Sequence, residues 1–269
     1  MLPIRVAVVG IGNCASSLVQ GAAYYRSNPA AAGLIHDVIG GYRAGDVEFV
    51  LGIDVDRRKV GLDIAEAIFA APNNTKVFHA DVPMTGAPVI RGRVLDGVAS
   101  HMTGAGERGF LVDDGQDAGH DDIVAALKAA RADILLNFLP VGSQAASEFY
   151  MECALAAGVA VVNCIPVFIA SDNEWEARFR AAGLPIIGDD IKAQIGATIV
   201  HRMLSSLFSA RGVAVERTYQ LNTGGNTDFM NMLDRDRLAS KKQSKTEAVQ
   251  AALAERLAEE NIRIGPAEY

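Results

Sequence analysis

The chain has 269 residues, of which half are apolar and 21% are charged. That composition excludes a disordered polymer and fits a globular protein. Its 25 basic and 32 acidic side chains give a formal charge of −7, which excludes a generally basic nucleic-acid surface. No apolar run approaches the roughly 20 residues of a membrane span, and residues 1–5 lead straight into a strand-like run, so no signal peptide is expected. Cys14, Cys153 and Cys164 show neither CxxC nor short histidine spacing. They are expected to be reduced core thiols of a cytoplasmic protein, with no metal site.

In chain order, residues 4–9 (IRVAVV) form a β-branched apolar run that predicts a buried parallel strand ending at Gly10. Residues 13–25 predict a helix, 27–46 a long glycine-containing connection, 47–53 a second strand and 57–70 a second helix. Residues 72–120 are irregular, with short strand candidates at 76–78 and 88–90. The triplet Asn73-Asn74-Thr75 matches a glycosylation acceptor, which carries no meaning in a cytoplasmic protein. Regular alternation then returns: helix 121–130, strand 134–138, helix 143–157 stopped by Gly158, strand 159–163, helix 172–182 and strand 185–187. Such alternation predicts a parallel sheet flanked by helices.

Residues 191–211 predict a longer helix. Its Ile191, Ile195, Ile199, Met203 and Leu207 recur every four residues and are expected to form a core stripe. A strand at 213–222, a Gly-Gly turn at 224–225, a charged helix at 228–242 and an amphipathic helix at 246–260 complete the chain. The expected fold is α/β: a Rossmann-type doubly wound parallel sheet over 1–200, then a smaller α+β unit over 201–269.

Gly10-Ile11-Gly12-Asn13-Cys14-Ala15 follows the first strand and opens a helix, the G-x-G-x-x-A form of a dinucleotide fingerprint. Gly10 permits the turn, Gly12 lets backbone approach a pyrophosphate, and the helix N-terminus favours the phosphates. The second strand ends at Asp54, where a carboxylate can accept ribose hydroxyls. Arg57-Arg58-Lys59 could instead hold a 2′-phosphate, but Asp54 and Asp56 would repel it, which favours NAD over NADP. Asp63 lies further along. Pro140, in the turn Leu139-Pro140-Val141-Gly142-Ser143, sits at a strand C-terminus, where ligands bind in such sheets. Asp189 and Asp190 lie at another strand–helix junction and either cap the helix or serve a site. Asn222 to Asp228 (NTGGNTD) is a turn able to cradle phosphate or sugar hydroxyls. Lys241 and Lys245 share a helix face, with Lys242 about 100° away. Two ammonium groups at a desolvated site stabilise an enolate, an alkoxide or a phosphate. The five histidines form no triad or metal pattern and are read as structural.

The segments VAVVGIGNCASSLVQG, FVLGIDVDRRKVGLD, LPVGS, PVFIASD, GDDIKAQIGAT, LNTGGNTDFMNML and SKKQSKTEAV together resemble the myo-inositol-1-phosphate synthase family, in its shorter bacterial branch. The resemblance runs from residue 4 to about 266 and is weakest over 100–120. It implies an NAD-dependent isomerase that converts glucose 6-phosphate to 1D-myo-inositol 3-phosphate by oxidation, enolisation, intramolecular aldol closure and reduction. It implies cofactor roles for Gly10, Gly12, Asn13, Asp54, Asp63, Ala130, Tyr150, Asp228 and Lys241, with Ala193 where relatives often have serine. It also implies Lys241 and Lys245 at the reacting sugar, Asp190 orienting a lysine, and Asn222, Gly224, Gly225 and Asn226 near the substrate. A homo-tetramer is implied as well. The family continues beyond the position of Tyr269 with more sheet and further lysines, so an incomplete second unit is expected here. An inactive NAD-binding form and a simple NAD-dependent dehydrogenase are the alternatives.

Overall fold

A computed structural model describes residues 2–191, 195–234, 237 and 239–268, with side chains described except at 239–242 and 265–268. Six strands form one parallel sheet: β1 (Ile4–Val9), β2 (Val47–Asp54), β3 (Val89–Arg91), β4 (Ile134–Asn137), β5 (Ala160–Asn163) and β6 (Ile186–Ile187). Their order is β3-β2-β1-β4-β5-β6. The central register pairs Val6 with Ile134 on one side and with Phe49 on the other.

Side-chain alternation divides β1 between two cores. Val6 and Val8 pack with Ala15, Val19 and Ala22 of α1 (Asn13–Ser27) and with Ile64 and Ala67 of α2 (Ile64–Ala67). Ala7 and Val9 pack with Ile123 and Leu127 of α4 (His120–Ala129) and Met151 and Ala154 of α5 (Gln144–Ala157). Both faces are therefore covered, which is why these strands read as unbroken apolar runs. Each Val, Leu or Ile buried this way contributes roughly 1.5–3 kcal/mol. α5 ends at Gly158 in the left-handed conformation, and α6 (Asn173–Ala181) is capped by Asp172.

Several sequence expectations are corrected. The helix expected at 57–70 shrinks to the single turn of α2. The Asp56 carboxylate takes the Arg58 amide at 3.0 Å, Gly61 has φ +89°, and Asp63 caps the Ala65 amide at 2.8 Å. These local bonds turn the chain out of a helix before Asp63 and start it again after. Residues 76–78 form no strand, because the amides of Phe78 and His79 bond the Gln20 carboxamide oxygen of α1. A short α3 (Ser100–Thr103) lies within the irregular stretch.

Beyond β6, α7 runs over Ala197–Ala210. Its expected core stripe is exposed: Ile195 at 82%, Met203 at 66% and Leu207 at 53%. The helix instead packs through His201, which bonds Thr218 and Gln220 of β7 (Thr218–Thr223), and through Ser205, which is buried. The expected 228–242 helix splits into α8 (Thr227–Asn231) and α9 (Ala239–Gln250), so the helix expected at 246–260 stops at Gln250. β8 (Ile262–Glu268) had no counterpart in the sequence reading; it pairs parallel to β7. Val249, Ile262 and Ile264 form the small core beneath this pair. Among the described residues no helix is long and apolar enough to cross a membrane.

Candidate functional site

The strand order reverses between β1 and β4, so the connections leaving their C-terminal ends diverge and open a cleft. Gly10 sits there with φ +87°, and a Cβ on it would lie 2.5 Å from the Phe138 carbonyl oxygen. Gly12 caps α1, and a Cβ on it would meet nothing within 4 Å. The first amides of α1 have no carbonyl in a preceding turn, which makes this corner a ready anion site.

Asp54 at the end of β2 accepts hydrogen bonds from the amides of Ile11 at 2.7 Å, Val55 at 2.7 Å and Asp56 at 2.9 Å. It therefore locks the glycine loop to the second strand. Arg58 pairs with the fully buried Asp56. Burial alone would raise the Asp56 pKa, but the Arg58 side chain and the amides of Arg58 and Leu111 hold it below the ordinary value. Lys59 is 1% exposed and donates to the Ile11 carbonyl at 2.7 Å and the Asn73 side chain at 2.9 Å. Desolvation lowers its pKa against the pull of Asp54 and Asp56. Neither Arg58 nor Lys59 is turned outward as a phosphate ligand.

Asn13 fastens the next layer. Its side-chain oxygen accepts from the Asn74 amide at 2.9 Å and the Thr75 hydroxyl at 2.9 Å. The Asn74 side chain in turn donates to the Gly225 carbonyl at 3.0 Å. Asn74 thus ties the glycine loop to the Gly-Gly turn, its own bond to that turn spanning 151 residues of chain.

The cleft has two adjoining chambers. The first, about 510 Å³ including the open solvent at its mouth, is lined by Gly10, Gly12, Asp54, Lys59, Pro140 and the deeply buried Tyr150. The Tyr150 hydroxyl accepts from the Arg93 amide at 2.9 Å, and burial pushes its pKa well above the ordinary phenol value. The second, about 1310 Å³ including its open mouth, is lined by Asn13, Cys14, Asp190, Asn226, Asp228 and Asn231, among others. Gly12, Phe138, Leu139 and Pro140 border both. Below the second chamber Asn137, Asn163 and Asp189 form a buried relay, the Asp189 carboxylate accepting from Asn163 at 2.6 Å and from the amides of Ile169, Ala170 and Ser171.

Asn226 lines the second chamber and caps α8 through the Phe229 amide at 2.9 Å. A Cβ on Gly224 would strike the Phe229 ring at 2.8 Å, whereas one on Gly225 would meet nothing within 4 Å. Asp190, at φ +60°, accepts from the Ser244 hydroxyl of α9 at 2.8 Å. That bond brings α9 to the chamber wall, with Lys245 next in sequence and half-buried. The backbone of Lys241 lies one turn earlier on α9; its side chain falls outside the described residues, as does Ala193. Asn222 lies on β7, its side-chain oxygen taken by Gln220 at 3.0 Å, outside both chamber linings.

Two expected cofactor residues stand apart. The Ala130 carbonyl is held by Arg5 at the start of β1, so it lies at the N-terminal edge of the sheet, opposite the cleft. Asp63 bonds Ala65, Thr85 and Gly86 ahead of β3, at the same far edge. Burial opposes its charge, but those bonds hold its pKa below the ordinary value. Cys14 is likewise exposed at the chamber and is no core thiol, while burial pushes Cys153 and Cys164 up to about 12. Asn231 and Arg237 were not singled out from sequence, and Lys59, Asn73 and Asn74 stood out only as part of a basic cluster and a glycosylation triplet. Arg237 pins the 140–143 turn, donating to Val141 at 3.0 Å and to the Asp96 carbonyl at 2.8 Å.

Strand order, glycine loop and cleft define a Rossmann-type protein suited to a nucleotide cofactor. The family model for myo-inositol-1-phosphate synthase matches residues 196–269. The chain is 52% identical to an inositol-3-phosphate synthase of Mycolicibacterium smegmatis over 99% of its own length and 73% of that relative's. It is 51% identical to the one of Corynebacterium glutamicum over the same shares. A crystal structure of Ari2 superimposes with TM-score 0.77 at 34% identity, over 98% of this chain and 71% of that one. A synthase-related protein of Thermotoga maritima shares the fold, with TM-score 0.76 over 99% of this chain and 74% of that one, at 22% identity. The chain belongs to the myo-inositol-1-phosphate synthase family.

Proposed function

We propose that this chain carries the NAD-dependent conversion of glucose 6-phosphate to 1D-myo-inositol 3-phosphate, the activity that its relatives' names state in their product. The observation that carries the reading is the continuity of the two chambers, from Asp54 at the β2 end to the Asn226–Asp228 loop, with α9 bonded to the wall through Ser244 and Asp190. The residues fit a dinucleotide. Gly12 leaves open space where a pyrophosphate needs backbone contact, and Asp54, an acceptor with about four lone-pair sites, spends three on the chain's own amides. Arg58 and Lys59 are consumed internally, which favours NAD over NADP. When bound, NAD supplies a hydride acceptor that becomes the donor of the last step.

The chain's own groups account for the rest. C5 gives up its hydrogen as a hydride and its hydroxyl gives up a proton, which leaves a ketone. That ketone acidifies C6, whose proton leaves; the C6–C1 bond forms as the C1 carbonyl takes up a proton; the C5 ketone is reduced back to an alcohol. Lys241 and Lys245 are assigned to the negative charge that develops on the C5 and C1 oxygens. Asp190 orients α9 through Ser244. Asn226 and the Gly224–Gly225 turn before it shape the sugar side, and Asp228 and Pro140 border the nicotinamide side.

Incubating the chain with glucose 6-phosphate and NAD should form inositol phosphate with no net NADH. Accumulating NADH without a cyclised product would point to a simple dehydrogenase and sink the isomerase reading. A second check uses Cys14 alone. At near-neutral pH iodoacetamide should label Cys14 and spare Cys153 and Cys164, whose thiols stay protonated. NADH should slow that labelling several-fold; unchanged labelling at saturating NADH would place the cofactor elsewhere.

A further inference from the structure

We propose that the side-chain amide oxygen of Asn231 is a ligand contact, accepting a hydrogen bond from a neutral N–H or O–H group of the molecule that fills the second chamber. Asn231 closes α8, is 1% exposed and lines that chamber beside Asp190, Asn226 and Asp228. Its Nδ2 donates to the Val141 carbonyl at 3.0 Å. A carbonyl can only accept, so this bond fixes the amide's orientation and turns Oδ1 away from Val141. That oxygen is buried and meets no donor among the described residues. Buried acceptors are almost always satisfied, and an orphan at the wall of a cavity calls for a donor from the cavity. A phosphate is the wrong partner, since it would set acceptor against acceptor beside two carboxylates. This inference rests on the reading above, whose ligands offer two donors of the right chemistry: the nicotinamide carboxamide N–H and a sugar hydroxyl.

The test titrates NADH, ADP-ribose and glucose 6-phosphate onto the 269-residue chain and its Asn231→Leu variant, with Asn231→Ala as a second variant. Val141 keeps its bond from Arg237, so the melting temperature of the unliganded leucine variant should hold or rise. If the carboxamide is the donor, NADH binding weakens about tenfold while ADP-ribose, which lacks nicotinamide, binds as before. If a sugar hydroxyl is the donor, NADH binding is unchanged and glucose 6-phosphate binds the NADH complex about tenfold more weakly. Unchanged affinity for all three probes in both variants overturns the proposal alone. So does an equal loss for all three with a lowered melting temperature, the mark of a purely structural residue. A wild-type chain that binds none of them overturns the proposal together with the reading beneath it.

Discussion

Replacing Gly10 by alanine is expected to cost roughly 2–5 kcal/mol of folding stability, read as a lowered urea midpoint at unchanged slope. Two effects add. An alanine at φ +87° adopts a conformation that L residues avoid, and its Cβ would sit 2.5 Å from the Phe138 oxygen. That oxygen belongs to the backbone leaving β4, so relief requires β1 and β4 to part at the point where the cleft opens. Gly12→Ala is the matched control. Gly12 has φ −92° and a Cβ there meets nothing, so the fold should lose only the N-cap preference for glycine over alanine, about 0.5–1 kcal/mol. Its effect should appear in NADH affinity, because the added methyl group occupies the space of the bound phosphates. Equal destabilisation by the two substitutions would mean that the loop is ordered by something other than its contact with β4.

Replacing Lys59 by methionine, which keeps most of the volume, is expected to cost about 3 kcal/mol. The Asn73 side-chain oxygen loses its donor, the Ile11 carbonyl loses one of its two, and Asp54 and Asp56 lose a buried countercharge. Because Ile11 lies inside the glycine loop, NADH affinity should fall along with stability. Arg57→Met, two residues earlier and exposed, should be near neutral in both. A Lys59→Met chain as stable as the wild type would show that water readily replaces the lysine and that the buried bonds matter little.

The doubly wound half of the fold was legible because its strands are buried on both faces, so that runs such as IRVAVV and ILLN stand out as apolar blocks between glycine turns. Gly158 and Asp172 marked helix ends for reasons local to each residue. What failed depended on partners distant in sequence. Met203 and Leu207 share one face of α7 while Ile195 precedes the helix, and a period cannot say what covers that face. β8 carries a Gly-Pro step and exists as a strand through pairing with β7, more than 40 residues earlier. Within the site, the glycine loop and Asp54 could be read from strand–turn–helix context. Lys59 could not: nothing distinguishes it from Arg57 and Arg58 until the chain folds it beneath Ile11. Ala130 and Asp63 entered through resemblance by position, and only the polarity of the sheet shows that they lie at its other edge.

The Asn73-Asn74-Thr75 triplet acquires a different meaning from this arrangement. An oligosaccharide joins asparagine through its side-chain nitrogen and replaces one of the two hydrogens there. In the folded chain both are in use, on the carbonyls of Ile11 and Ile68 at 3.0 Å each, while the companion oxygen holds Lys59. Sugar transfer to Asn73 and the native loop are therefore mutually exclusive. A glycan attached before folding would leave the loop without its tether, and once the loop has formed the acceptor nitrogen is closed to a transferase.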